Sequence, residues 1–187
     1  MQIFDDSNDA GNLLSDNAPK DSFVAFKSGA PVNVAFAKVT TTTYSLNTFP
    51  QAIADASTLN SSVFVPANAG KILDLDVSLS IFHSFDGDLD ITLTNVTSGI
   101  SVILFQDVGG SNEGFFIRLN DEAGTDIGGA SNPKVDGAIN GIFNPGGAAL
   151  LSAFDGLDAS GEWRLSITDD SGGDTGTLFG WSLHVLV

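Results

Sequence analysis

The stretch from Lys71 to Leu93, KILDLDVSLSIFHSFDGDLDITL, constrains the fold more than any other part of the chain. Leu73, Leu75, Val77, Leu79 and Ile81 alternate with Asp74, Asp76, Ser78 and Ser80, the period-two pattern of a strand with one buried face. Leu89, Ile91 and Leu93 repeat the pattern against Asp90, Thr92 and Thr94. The connection from Ser84 to Asp88 carries the Asp86-Gly87 pair, which favours a tight reversal, so the two runs are predicted to form a hairpin. A strand with one apolar face must cover that face with a second layer.

The rest of the chain supplies candidates for that layer. Val32, Val34 and Phe36 alternate, and Val39 to Tyr44 includes four consecutive threonines, a β-branched run that suits a pleated strand. Val63 and Val65 stop at Pro66, and Ile100 to Phe105 stops at Asp107-Val108-Gly109-Gly110. Phe115 to Leu119 follows, then Trp163, Leu165 and Ile167 on one face, and Trp181, Leu183, Val185 and Val187 on another. Residues Asn120 to Pro133 and Gly137 to Gly147 read as loops, and Leu150 to Phe154 as a short strand or a helical turn. No helical periodicity is sustained. Eight to ten short strands separated by turn signals predict an all-β, two-sheet sandwich. Met1 to Asp21 is polar and aperiodic, so residues 1–47 are read as an extension or linker with one or two added strands, and 48–187 as the domain. With 187 residues, 14 Phe and no Cys, the core is aliphatic and aromatic and no disulfide or thiolate metal site exists.

Charge then removes whole classes of function. Seven Lys and Arg stand against 23 Asp and Glu, a formal charge of −16, and such a surface repels nucleic acid and anionic membrane. No apolar run approaches the roughly 20 residues that span a bilayer. The N-terminus has neither the basic flank nor the apolar centre of a signal peptide.

Nucleophilic catalysis is hard to place. His83 and Ser84 are neighbours on a strand and point to opposite faces, so His83 is expected to hydrogen-bond a nearby loop. His184 is expected on a sheet face. Paired carboxylates across a sugar would suit glycoside hydrolysis, but the pattern predicts no cleft. Trp163 and Trp181 are in phase with Leu165, Ile167, Leu183 and Val185, which places both in the core rather than on a sugar-stacking platform. The carboxylates suit Ca²⁺ better, because that ion takes six to eight oxygens from acidic and carbonyl groups in loops. Asp86, Asp88 and Asp90 fall on one side of an extended chain, yet they are not an EF-hand: Ile91 stands where that loop needs Gly and Thr97 where it needs Glu. Asp121, Glu122 and Asp126 form a second acidic loop, and Asp169, Asp170 and Asp174 a third.

His83 followed by Gly87-Asp88-Leu89, then Asn120-Asp121-Glu122-Ala123, Leu151-Ser152-Ala153-Phe154-Asp155-Gly156, Gly161-Glu162-Trp163-Arg164-Leu165, and the Thr168-Asp169-Asp170 segment running to Trp181-Ser182-Leu183 occur in that order. This series resembles the P domain of proprotein convertases such as kexin and furin. Phe49-Pro50-Gln51-Ala52-Ile53-Ala54-Asp55 resembles the domain's opening segment, with Ala54 where proline is usual.

The resemblance implies a jelly-roll sandwich of two antiparallel sheets and a non-catalytic role beside a subtilisin-like serine protease domain in the same precursor. There the P domain stabilises and helps regulate its neighbour and is tied to calcium and pH behaviour. It also implies export, so that the chain is the mature part or, as read here, an excised piece of a longer precursor. Because the Asp86/Asp88 turn and the Asp121/Glu122 loop both lie in the matching motifs, these four residues are predicted to converge on one Ca²⁺. The competing reading has Asp88 capping a turn and the others solvated. A calcium-dependent adhesion or carbohydrate-binding module of an exported protein is the alternative function.

Overall fold

The computed structural model describes residues 39–46, 48–130 and 137–187. Val32, Val34, Phe36 and most of the expected N-terminal extension lie outside the described residues. Ten strands form the described part: β1 (Thr41–Ser45), β2 (Gln51–Ile53), β3 (Thr58–Val65), β4 (Asp74–His83), β5 (Leu89–Asn95), β6 (Ile100–Gln106), β7 (Phe115–Leu119), β8 (Ile139–Phe143), β9 (Gly161–Asp169) and β10 (Gly176–Leu186). They make a β-sandwich.

One sheet runs β1-β10-β4-β7-β8, with β2 lying beyond β1 along the same edge of β10; the other runs β3-β9-β5-β6. Successive strands therefore cross repeatedly between layers, and only β5 and β6 form a local hairpin within one sheet. Strands β2 to β7, β9 and β10 follow the wrapped path of a jelly roll, and β1 and β8 extend the larger sheet at its edges. The Thr-rich run is thus part of the sandwich, through β1 pairing with β10.

Three expectations need correction. The β4 and β5 runs are strands, but they are not a hairpin: β4 pairs with β10 and β7, and β5 with β9 and β6. Asp86–Asp88 forms a 3₁₀ turn that carries the chain from one sheet to the other, and Gly87 is not among the positive-φ glycines, as a type I′ hairpin turn would demand. Both runs still bury their apolar faces, in one core approached from opposite sides. Second, Ile139–Phe143, read as loop, is a strand that pairs with β7 in parallel, so the larger sheet is not wholly antiparallel. Third, Leu73 is 57% exposed, ahead of β4, while its phase-mates Leu75, Val77, Leu79 and Ile81 are buried.

The core lies between the sheets. β4 contributes four apolar side chains, β5 contributes Leu89, Ile91 and Leu93, and β9 contributes Trp163, Leu165 and Ile167. Each such burial stabilises by about 1.5–3 kcal/mol before conformational entropy is counted. Both tryptophans are core residues: Trp163 donates Nε1–H to the Ala159 carbonyl (2.8 Å) and meets Phe154 edge-on at 4.9 Å, and Trp181 donates to Ser61 Oγ (2.9 Å). Burial of both rings withdraws them as a sugar platform. Leu151–Phe154 is a 3₁₀ turn, with Leu151 and Phe154 plugging the core.

Candidate functional site

The ten residues of β4, at about 3.3 Å each, hold two acidic regions roughly 30 Å apart. At the far end, β4 finishes with His83, fully buried because it continues the inward phase of Ile81. Its Nδ1 lies 2.8 Å from the Phe85 carbonyl and its Nε2 lies 3.2 Å from Asp169 Oδ2. The expected hydrogen bond to a nearby loop is present, with a carboxylate from the opposite sheet added. Asp86 is also fully buried; its Oδ1 accepts from Gly114 N–H (2.7 Å) and its Oδ2 has no hydrogen-bond partner. Burial pushes its pKa up to about 7, against the opposing Gly114 hydrogen bond and with a small addition from Glu113. Asp88 is held up by desolvation, then by the negative charges of Asp169 and Asp174. Its carbonyl accepts from Asp170 N–H (3.0 Å).

The near end of β4 is different. Asp74 and Asp76, two apart, both project from the outer face of the larger sheet. Arg118 on β7 reaches Asp76 with Nε (3.0 Å) and Nη2, both donating to the same Oδ2. Asp76 is 4% exposed, and its Oδ1 has no hydrogen-bond partner. The turn after β7 brings in Glu122, whose own N–H is fixed by Asn120 Oδ1 (2.7 Å). Carboxylate oxygens of Asp74, Asp76 and Glu122 lie within 4.8 Å of one another. Burial and then the Asp76 charge raise the pKa of Asp74; burial, Asp74 and Asp121 raise that of Asp155.

Asp121 is occupied elsewhere. Its two oxygens accept from Leu151 N–H (2.9 Å) and Ser152 N–H (2.7 Å), so the acidic loop caps the 3₁₀ turn that starts the Leu-Ser-Ala-Phe segment. The four predicted ligands are therefore not one group. Asp86 and Asp88 sit at one end of β4 and Asp121 and Glu122 at the other, because the crossing from β4 to β5 and the turn after β7 leave opposite ends of the sandwich. Nor do Asp86, Asp88 and Asp90 share a side: the 3₁₀ turn buries the first, and Asp90 instead groups with Asp107 and Asp170. In the sequence Asp74 and Asp76 read only as the polar positions of an alternating strand, and Arg118 carries no signal of its own. The only sequence signal was the Asp-x-Asp pair on a strand, and it gains meaning only once β7 is placed beside β4.

Both imidazoles are tied into the fold. His184 sits between Thr43 Oγ1 (3.0 Å) and Ser78 Oγ (2.8 Å) on the outer face of the larger sheet. Burial and then Arg118 hold its pKa below the usual histidine value. Ser78 thus meets an imidazole whose other nitrogen faces a hydroxyl, where a hydrolytic triad would place an acid. A shallow groove of about 310 Å³ beside this pair is lined by Leu46, Phe49, Trp181 and several serines, and by no carboxylate.

The family model of the proprotein convertase P-domain matches residues 72–185. No curated protein sequence matches the chain. Among solved structures, the crystal structure of the serine protease of Aeromonas sobria in complex with its chaperone ORF2 superposes with a TM-score of 0.51 at 20% identity, covering 80% of this chain and 27% of that one. The crystal structure of the serine protease of Aeromonas sobria gives a TM-score of 0.51 at 19% identity, with 81% and 27% covered. At these identities the likeness is one of fold, and the chain spans about a quarter of the length of the proteins it resembles. With the family match running from the start of β4 almost to the end of β10, through the acidic Asp121 turn and the Trp163 and Trp181 strands, the chain belongs to the proprotein convertase P-domain family.

Proposed function

We propose that this P domain is a non-catalytic accessory unit of an exported subtilisin-like serine protease, that it braces the neighbouring catalytic domain, and that it takes up calcium. Family membership carries the reading. It is supported by the engagement of both histidines in hydrogen bonds within the sandwich. The outer face of the larger sheet offers a surface for packing. Phe82 on β4, Phe116 on β7 and Phe179 in the β10 bulge are 41%, 52% and 51% exposed, beside the 60% exposed Ile142 on β8. Their flanking residues Ile81, Phe115 and Leu178 face the core. An interdomain contact of roughly 600–1,500 Å² over this face would favour the folded partner by mass action.

Co-expression tests the reading. A serine protease domain encoded in the same reading frame is produced with and without this chain. The reading expects a higher yield of soluble, active protease and a raised Tm when the P domain is present, and a loss of that gain in the Phe116→Ser/Phe179→Ser variant. Peptide hydrolysis by the purified chain alone, or a protease indifferent to the P domain, would overturn it.

A further inference from the structure

We propose that Asp74, Asp76 and Glu122 form a calcium site on the outer face of the larger sheet, where β4 begins and the chain leaves β7. This deepens the calcium part of the reading above and rests on it, but it is independent of the protease part. Two separate observations point to a cation. The first is the grouping itself: three carboxylates each place an oxygen within 4.8 Å of the others. Calcium–oxygen distances of about 2.3–2.6 Å put opposed ligands up to about 5.2 Å apart, so one ion reaches all three.

The second observation is the state of Asp76. Its side chain is almost completely buried, both guanidinium contacts from Arg118 go to Oδ2, and Oδ1 is left without a donor. A buried acceptor left unpaired costs about 1–3 kcal/mol, and more when it is charged. Native structures rarely carry such an atom without a reason. A cation shared with Asp74 and Glu122 supplies the missing partner and leaves the Arg118 contacts intact. The charge balance agrees. Asp121 and Asp155 also bear on Asp74 and on each other, and among the described residues Arg118 is the one cation acting on Asp74. One guanidinium offsets a fifth of the charge of five carboxylates, and a divalent ion offsets half of the remainder.

The site also has a firm base. Asp74 and Asp76 stand on a strand paired on both sides, by β10 and β7, and Glu122 hangs from a turn fixed by Asn120 and Asn144. An ion there would fasten the β7–β8 connection to β4. The Asp90, Asp107 and Asp170 group is the rival site: Asp90 too leaves its Oδ1 without a partner, but it is only half-buried, and Asp107 and Asp170 are exposed, so no almost completely buried side chain like Asp76 anchors it.

The test is isothermal titration of the whole 187-residue chain with CaCl₂ after chelator treatment, with Tm recorded in calcium and in EDTA. The wild type is expected to take up one ion and to gain Tm in calcium. Asp74→Asn and Glu122→Gln should each weaken binding at least about tenfold and lose the gain in Tm, with EDTA midpoints matching the wild type. Asp107→Asn should bind as the wild type does. Binding that survives Asp74→Asn and Glu122→Gln but fails in Asp107→Asn would overturn this site and keep the calcium reading. No heat and no change in Tm at millimolar calcium would overturn both, leaving the bracing role to the co-expression test.

Discussion

His83 Nε2 and Asp169 Oδ2 stand 3.2 Å apart with both side chains fully buried, joining the end of β4 in one sheet to the end of β9 in the other. Removing one member of a buried pair leaves an uncompensated polar group. His83→Ala is therefore expected to cost about 3–5 kcal/mol, measured by urea unfolding. Because the second removal no longer strands a partner, the His83→Ala/Asp169→Ala double variant should lose at least about 1 kcal/mol less than the sum of the single variants.

Asp86 makes a prediction about pH. Its pKa rises from 3.8 to about 7 on folding, so between these values the folded state binds more protons than the unfolded one. Stability from this group is complete below about pH 4 and is lost as pH climbs to about 7. In Asp86→Asn the position is neutral throughout. The wild type is expected to lose stability relative to Asp86→Asn between pH 4 and 7, at about 1.4 kcal/mol per pH unit at most, read from unfolding midpoints across that range. A constant difference between the two proteins would refute the assignment.

Gly114 opens β7 at φ +109°, and a Cβ there would lie 2.3 Å from the Ile81 carbonyl oxygen. Both the backbone and the β4–β7 contact forbid a side chain. Gly114→Ala should cost about 3 kcal/mol or more. Gly99, in the β5–β6 turn at φ +74° with nothing near its would-be Cβ, should cost only about 1 kcal/mol as Ala. Thermal unfolding of the two variants separates crowding from conformational strain.

Asp121→Ala removes two acceptors at once, from Leu151 and Ser152 N–H. A loss of about 1–2 kcal/mol is expected, with faster hydrogen exchange at those two amides. Asp121→Asn, which keeps one acceptor oxygen, should fall between. Equal exchange in all three proteins would show that the cap does not hold the turn.

Much of the fold was legible because one-sided burial leaves a local trace. Phe115–Leu119 coincides with β7, and Trp163, Leu165 and Ile167 alternate into the core as their phase demands. Sheet membership leaves no such trace. Leu75 to Ile81 and Leu89 to Leu93 carry identical alternation whether they pair with each other or face each other across a core, and the Asp86-Gly87 pair fits a 3₁₀ turn as well as a hairpin. β8 is not legible because Asn140 and Gly141 dilute its pattern and only Ile139 is buried; its parallel pairing with β7 defines it. The acidic residues were visible as a population, but which of them meet is a property of topology. Asp76 and Glu122 are 46 positions apart in the sequence and become neighbours only when β4 and β7 pair.

The placement of β9 and β10 bears on how the domain is made in the cell. Each lies in the interior of its own sheet, β9 between β3 and β5 and β10 between β4 and the β1–β2 edge. A nascent chain that has released β1 to β8 holds two incomplete layers with open seams and exposed apolar faces. Neither layer can close until residues 161–186 clear the ribosome, so the decisive step of assembly waits for the last two strands, is slow in the manner of distant strand pairing, and leaves the domain exposed to aggregation until they slot in.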